Sequence, residues 1–440
     1  MAVYPAHGLQ DWDDDLKTYI DAGDTAGGSY ASTHLVRYVD YVNGLDANSG
    51  LAPMLAKKTI QAAYDDLQTV SGATYTAWLT GMLPVGRIIL MPGDHDVGSG
   101  FQGDYLSPVE IVGMHGGSGN QPTNATSRVV SSLSPGPAEL FRFGSVASAT
   151  ELCRGNYVRD VSFMVTLATN TALTACIRAQ QNPFLHIQGC IFSTHNGQGS
   201  TDAYAIEQSS GAGNVDNAWM RILNNRSTRF GLYRATGGTN YNRGTIDSNL
   251  CFWDGGPSAR AMIWLESDVL GCTVSSNNLE GTAVAIRLTS NSADKNFFIN
   301  NAGEDMGGGT PTFYDFAGSQ QQNIVIGGNC SSTGVIGTWI TFGTNAHSNT
   351  VIGNCDFVGV TGFKQKIVDN STLKNVYINP NGARVPVKSG AGVSTTSDAD
   401  ASFGFGTPMD GQQRILHNTS DGVSRIATRI NATWKYVTVA

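Results

Sequence analysis

Asn323-Ile324-Val325-Ile326, Asn349-Thr350-Val351-Ile352 and Asn375-Val376-Tyr377-Ile378 decide the fold of this chain. Each copy is an asparagine followed by residues that suit a pleated strand, and successive copies stand 26 residues apart. Followed toward the N-terminus, the central apolar position returns at Val161, Ile187, Ile222, Ile246, Val274, Ile299, Ile326, Ile352 and Ile378, at intervals of 24 to 35 residues. A second apolar marker falls between these, at Ile177, Ile206, Leu232, Ile263, Ile286, Phe313, Ile340 and Ile367, with intervals of 23 to 31 residues. Two markers that share one period and keep their phase are the signature of a repeat.

The repeating unit is made of strands. An amphipathic helix needs an apolar face that recurs every three or four residues over ten or more. Here the apolar runs are short and alternate, as in Ala285-Ile286-Arg287-Leu288-Thr289, and Gly, Asn or Asp bounds them. Short strands must find partners, and stacking each coil of chain on the last pairs every strand in parallel with its counterpart one period away. The fold class expected is all-β: a right-handed single-stranded parallel β-helix with the marker residues in its core. Asn225, Asn249, Asn277, Asn301, Asn329, Asn354 and Asn381 follow the first marker by two or three residues. Asparagine tolerates the left-handed backbone of a sharp corner, and its amide can hydrogen-bond to the next one up the column, so these residues read as structural.

Composition agrees. Charged residues are only 14% of the 440, glycine is frequent at 53 and proline scarce at 14. That is a low-charge, turn-rich β composition. A net charge of −8 without any basic stretch argues against nucleic acid as a partner. No apolar run is long enough to span a bilayer, so no membrane insertion is expected. Met1 to Pro5 carries no basic flank leading into an apolar stretch, so no secretory leader is read there. The seven cysteines, Cys153, Cys176, Cys190, Cys251, Cys272, Cys330 and Cys355, are odd in number and lack C-x-x-C spacing, so they read as small core residues. No metal and no cofactor are expected.

Ile60, Ala63, Tyr64 and Leu67 fall at i, i+3, i+4 and i+7, an amphipathic helix that could close the open end of the stack. The pairing of Thr59-Ile60-Gln61-Ala62-Ala63 with the later strand Gly86 to Val97 resembles the start of phage tailspikes and pectate-lyase-superfamily proteins. Met91 and Asp94-His95 depart from that pattern. Nearer the N-terminus, Trp12, Leu16, Tyr19 and Ile20 form a short amphipathic pattern that resembles the opening of actinobacterial-phage minor tail proteins. The ending Asn418-Thr419-Ser420-Asp421-Gly422-Val423 through Thr433-Trp434-Lys435 reads as hairpins and resembles phage tail endings that trimerise. The organisation expected is a virion-attachment segment at 1–33, a cap with first rungs at 34–150, the β-helix at 151–384, and a linker with a C-terminal antiparallel β-module at 385–440. Residues 385–412 lack alternation and read as linker.

The resemblance implies a homotrimeric tailspike or tail fibre in the virion, joined to phage tail or baseplate proteins through its N-terminus and acting on a host cell-surface polysaccharide. The residue after each second marker should face outward, giving Arg178, Glu207, Tyr233, Trp264, Arg287, Tyr314 and Thr341, with Glu266 on the same face. Aromatic rings, acids and guanidinium groups in a row suit the apolar faces and hydroxyls of sugars. Glu207 and Glu266 are the candidate catalytic acids, and Tyr233, Trp264, Arg287 and Tyr314 the candidate substrate contacts. Trimer packing over this face is the alternative. Asp254, Glu280, Glu304, Asp305 and Asp356 make a second acidic column, read as solvated turn acids. No motif of the polygalacturonases or pectate lyases is present. A polysaccharide depolymerase is therefore the enzymatic expectation, and a non-enzymatic receptor-binding fibre and a free polysaccharide lyase or glycoside hydrolase stay open beside it.

Overall fold

The computed structural model describes residues 36–71, 86–103, 109–114, 126–144, 155–166, 172–180, 182, 184–194, 203–209, 219–237, 241–252, 261–304, 306, 311–330, 338–353, 356–357, 367–371, 375–378, 387–390, 413–418, 423–430 and 433–439. The opening segment with Trp12 lies outside them. Three parallel sheets run the length of the stack, of 12, 10 and 10 strands among the described residues. A coil visits them in order. Gly86–Leu90 lies in the first, Gly93–Asp96 in the second and Phe101–Gly103 in the third. Every strand of these three sheets pairs in parallel with the corresponding strand one coil away, so the fold is an all-β parallel β-helix.

The core column of the first sheet is Val158, Ile187, Ile222, Ile246, Val274, Phe298, Val325 and Val351, in register and fully buried. Up to Val274 this follows the sequence markers, except that Val158 takes the place of Val161. Beyond it the markers are one residue out. Ile299, Ile326 and Ile352 do stack on one another, but they stand on the outer face, beside core residues Phe298, Val325 and Val351. Strands such as Ile324-Val325-Ile326 are apolar on both faces, so alternation alone fixes no phase, and a one-residue slip exchanges inside for outside.

Two corners flank the first sheet, and each is built the same way. The corner residue has a left-handed backbone: Asn224, Ser248, Ser276 and Asn300 after the sheet, and Lys295, Gln322 and Ser348 before it. The next residue points in and joins a ladder. Asn225, Asn249, Asn277 and Asn301 are linked by Nδ2–Oδ1 hydrogen bonds of 3.0, 2.8 and 2.9 Å. The left-handed residue is thus the one before each ladder asparagine, not the asparagine itself. Asn329 instead starts a second-sheet strand, while Asn354 and Asn381 lie outside the described residues. A second ladder, Asn296, Asn323, Asn349 and Asn375, occupies the other corner with three bonds of 3.0 Å.

The helix Ile60–Ser71 closes the N-terminal end. Ile60, Ala63, Tyr64 and Leu67 are buried, and Tyr64 meets the Phe101 ring edge-on at 5.2 Å. At the other end Gln413–Asn418, Val423–Ile430 and Thr433–Val439 form the expected antiparallel meander. Val387–Gly390, read from sequence as linker, adds a fourth strand parallel to Gln413–Asn418.

Candidate functional site

The outer face of the third sheet carries the candidate site. Most of its strands bury two or three residues in succession, as in Ala261-Met262-Ile263 and Phe313-Tyr314, and only then does a side chain turn out. Ile177, Ile206, Tyr233, Ile263, Ile286, Tyr314 and Ile340 share one register position and are fully buried. Tyr233 and Tyr314, expected on the outer stripe as substrate contacts, are therefore core residues. Tyr233 donates its hydroxyl to the buried Gln208 Oε1 at 2.9 Å, and the Tyr314 hydroxyl accepts from Asn301 at the end of the first ladder. The outward column reads Arg142, Arg178, Glu207, Arg234, Trp264, Arg287, Asp315 and Thr341. Arg234 and Asp315 hold the positions assigned from sequence to the two tyrosines. The signal that could have found them is the polar residue that follows the inward one in Ile206-Glu207, Tyr233-Arg234, Ile286-Arg287 and Tyr314-Asp315.

Charges alternate along this column. Arg178 Nη1 donates to Glu139 Oε1 at 2.7 Å, and its Nε lies 3.4 Å from Glu207. Arg234 approaches Glu207 from the next coil at 3.6 Å and binds Glu266 through Nη2 and Nε at 2.6 and 2.8 Å. Arg287 Nε donates to Asp315 at 2.8 Å. Trp264 lies between the guanidinium groups of Arg234 and Arg287, at 5.0 and 6.0 Å from its ring, and its Nε1 donates to Thr289 Oγ1 at 3.0 Å.

Glu207 and Glu266 are thus bridged by a single guanidinium, but their surroundings differ. Glu207 is 4% exposed, and the two arginines contact it at ion-pair rather than good hydrogen-bond distance. Burial raises its carboxyl above the usual range, and Arg178 and Arg234 offset only part of that. The Glu266 side chain is 33% exposed. One group is held toward the protonated acid and the other is open to water.

In the second acidic column, Glu280 and Glu304 pair on adjacent second-sheet strands, whereas Asp356 stands opposite Asn329 in another column. Asp254 and Asp305 lie outside the described residues. His186 points out of the first sheet with its ring 5.0 Å from Tyr157, and burial together with Arg221 and Arg159 brings its pKa down to about 4.

No family model and no curated protein matches the chain. Solved structures that resemble it include one titled Geobacillus virus E2 ORF18, at 11% identity and a TM-score of 0.47, covering 100% of this chain and 81% of that one. A rhamnogalacturonan lyase matches at 12% identity and a TM-score of 0.38, covering 79% and 87% of the two chains. A mutant tailspike of E. coli bacteriophage HK620 in complex with a hexasaccharide matches at 12% identity and a TM-score of 0.36, covering 86% and 71%. Phage tailspikes and a polysaccharide-acting enzyme are therefore among its structural neighbours, at low identity.

Proposed function

We propose that this chain is a phage tailspike or tail-fibre protein that binds a host-surface polysaccharide along the outer face of its third sheet and hydrolyses it. Glu207 serves as general acid and Glu266 as general base. The observation that carries this reading is the unequal pair: a nearly buried carboxyl with a raised pKa, and a more exposed one beyond a shared guanidinium. A spacing of one guanidinium suits the wider separation of inverting hydrolysis, roughly 6.5–9.5 Å, better than the roughly 5 Å of a retaining pair. Substrate entry then requires Arg234 to release Glu266, and Trp264 and Arg287 border the gap that opens. The virion location, the homotrimer held by residues 385–440, and the attachment to tail or baseplate proteins through residues 1–33 rest on the sequence resemblances.

Lyase chemistry finds less support. It would use Arg234 or Arg287 as base, but both are already engaged with carboxylates, Arg234 with Glu266 and Arg287 with Asp315. A fibre that binds without cutting is favoured by one observation: Arg234 fills the space between the two acids.

Incubation with purified host capsule or cell-wall glycan tests the proposal. New reducing ends without unsaturated product absorbance are expected, and Glu207→Gln and Glu266→Gln should each abolish them while glycan binding persists. Glycan bound but uncut by the wild-type chain removes the enzymatic half of the proposal. Full activity in both variants removes the assignment of the acids.

A further inference from the structure

Between the third sheet and the first, each coil turns a corner on a residue that stands just before the first-sheet strand. From Gly155 to Ser348 that residue has a left-handed backbone on every coil. At three successive corners it carries a large side chain, and the three form a stack. Phe184 and Trp219 lie parallel, 4.8 Å apart and 4° from coplanar, and the Arg243 guanidinium lies 5.9 Å from the Trp219 ring. Gly155 and Gly271 take the same position on the coils to either side, and a Cβ at Gly271 would meet nothing within 4 Å. Glycine adopts this backbone freely, whereas phenylalanine and tryptophan hold it at a steric cost. Core packing does not explain that cost, because Trp219 is 45% exposed and Arg243 is exposed.

The adjoining column of the first sheet adds Tyr157, His186 and Arg221 on consecutive coils, with Arg221 exposed. Together the two columns present hydrogen-bond donors. Stacking covers ring faces and leaves the positive ring edges outward. Among the described residues, the Trp219 indole N–H and the guanidinium groups of Arg221 and Arg243 have no acceptor. The acids on this sheet face are engaged elsewhere: Glu110 with Arg87 and Arg159, and Asp247, in the other column, with Ser248 and Ser275. Burial, Arg221 and Arg159 hold the His186 pKa down to about 4, so the imidazole registers the positive field of this face and stays neutral at pH 7.

We propose that this corner is a second saccharide site, separate from the third-sheet face, for a glycan that bears carboxylate or phosphate groups. That the ligand is a glycan rests on the function proposed above; the site and its preference for an anion are new. Arg178, Arg234 and Arg287 on the third sheet already hold carboxylates, whereas Arg221 and Arg243 hold none, so an anion entering at the corner displaces nothing. A guanidinium pairs with a carboxylate or a phosphate through two parallel N–H···O bonds. The donors spread from the coil of Phe184 to that of Arg243, about 10 Å at the rise of a stacked sheet. That is too long for one small anion and suits an extended ligand with several oxygen acceptors.

Isothermal titration calorimetry of the full chain with trigalacturonate, a phosphomannan oligosaccharide, galactotriose and inorganic phosphate tests this. An acidic saccharide is expected to bind at least about tenfold tighter than galactotriose or phosphate, and to weaken by about tenfold or more between 50 and 500 mM salt. Which of the two acidic saccharides binds identifies the anionic group. Arg221→Gln combined with Arg243→Gln should weaken that binding at least tenfold, and so should Trp219→Gly alone. Because glycine suits the backbone at 219, Trp219→Gly should keep its melting temperature within about 2 °C of the wild type. Cutting of the host glycan should stay within about twofold in all these variants. The inference is overturned if neither acidic saccharide binds, if phosphate alone binds as tightly, or if binding survives the corner variants and is lost with Arg287→Gln instead. A Trp219→Gly chain that loses stability but not affinity makes the stack structural and overturns it too. A chain that binds an acidic saccharide at the corner but neither binds nor cuts the host glycan keeps this site and removes the function proposed above.

Discussion

Replacing Asn277 by alanine should weaken the stack where its hydrogen bonds are most closely accounted for. Asn277 Oδ1 accepts the backbone N–H of Asn249 at 3.1 Å and its Nδ2 at 2.8 Å, while Asn277 Nδ2 donates to Ile246 O at 3.0 Å and to Asn301 Oδ1 at 2.9 Å. All three asparagines are buried. Alanine leaves two buried donors of Asn249 without an acceptor, and each such group costs about 1–3 kcal/mol, so the expected loss is about 2–6 kcal/mol. A repeat stack opens locally, so exchange of the amides around residue 249 reports this better than a single unfolding midpoint. At a factor of ten per 1.4 kcal/mol, protection of the peptide spanning 246–251 should fall between about thirtyfold and about twenty-thousandfold. Asn278 is the control. It is the next residue and the same type, but it faces outward, and its Oδ1 has no hydrogen-bond partner among the described residues. Asn278→Ala should change protection by less than about threefold, as a surface substitution does. Equal effects at 277 and 278, or none at 277, would refute the ladder as a source of stability.

At the proposed catalytic centre, Arg234→Gln removes one of the two positive charges that lower the Glu207 pKa, so the acid stays protonated to higher pH. The alkaline limb of the residual kcat/KM profile should move up, and a limb that stays in place removes Glu207 from the role of acid. His186 sits at about 4, below the ordinary imidazole value, so its contribution is present above the unfolded value and is lost as pH falls from about 6.5 toward 4. His186→Gln should therefore lose less stability than the wild type between pH 7 and pH 4 in urea denaturation, and an equal loss would contradict this. Gly144 has φ +91°, and a Cβ there would collide with the Gln180 backbone carbonyl oxygen. Gly144→Ala should cost roughly 2–4 kcal/mol, and a change below about 1 kcal/mol on thermal unfolding would show that the backbone yields at that point. Glycan binding should vary less than about threefold between 50 and 500 mM salt, because the arginines of the face are already paired with acids, and a loss of more than tenfold would point to an anionic ligand.

The repeat was legible because its period is carried by residue types that tolerate little else. The Asn225 to Asn301 ladder could be read from spacing alone, since a buried amide that bonds both ways along a column has few substitutes. The phase within each strand was less legible. Third-sheet strands bury two or three residues in a row before the outward one, so Leu232 and Phe313 looked like the inward positions that Tyr233 and Tyr314 occupy. That slip kept Arg234, the residue that joins the two acids, off the outward column. The second ladder, Asn296 to Asn375, was visible as the asparagine opening each late copy, but its amides bond across coils, and sequence spacing does not show which corner they line. Val387–Gly390 has no alternation to mark it as a strand, because its partner Gln413–Asn418 lies beyond a long intervening segment.

The corrected phase also changes the chemistry of the face. With tyrosines at 233 and 314 it would have been an aromatic platform with scattered acids. With Arg234 and Asp315 it becomes a row in which Arg178, Arg234 and Arg287 alternate with Glu139, Glu207, Glu266 and Asp315, and Trp264 is held between two guanidinium groups. Such a row offers donors and acceptors along its length but little net field. A chain of net charge −8 adds no attraction for an anion. Sugar hydroxyls donate and accept at once, so they can hydrogen-bond to either member of these ion pairs. A uronic acid would have to displace Glu266 or Asp315 from an arginine already bound to it. If the proposed function holds, the arrangement suits a neutral repeating glycan, and Arg234 would turn from one partner to another as the glycan enters, so that binding reaches the acids through it.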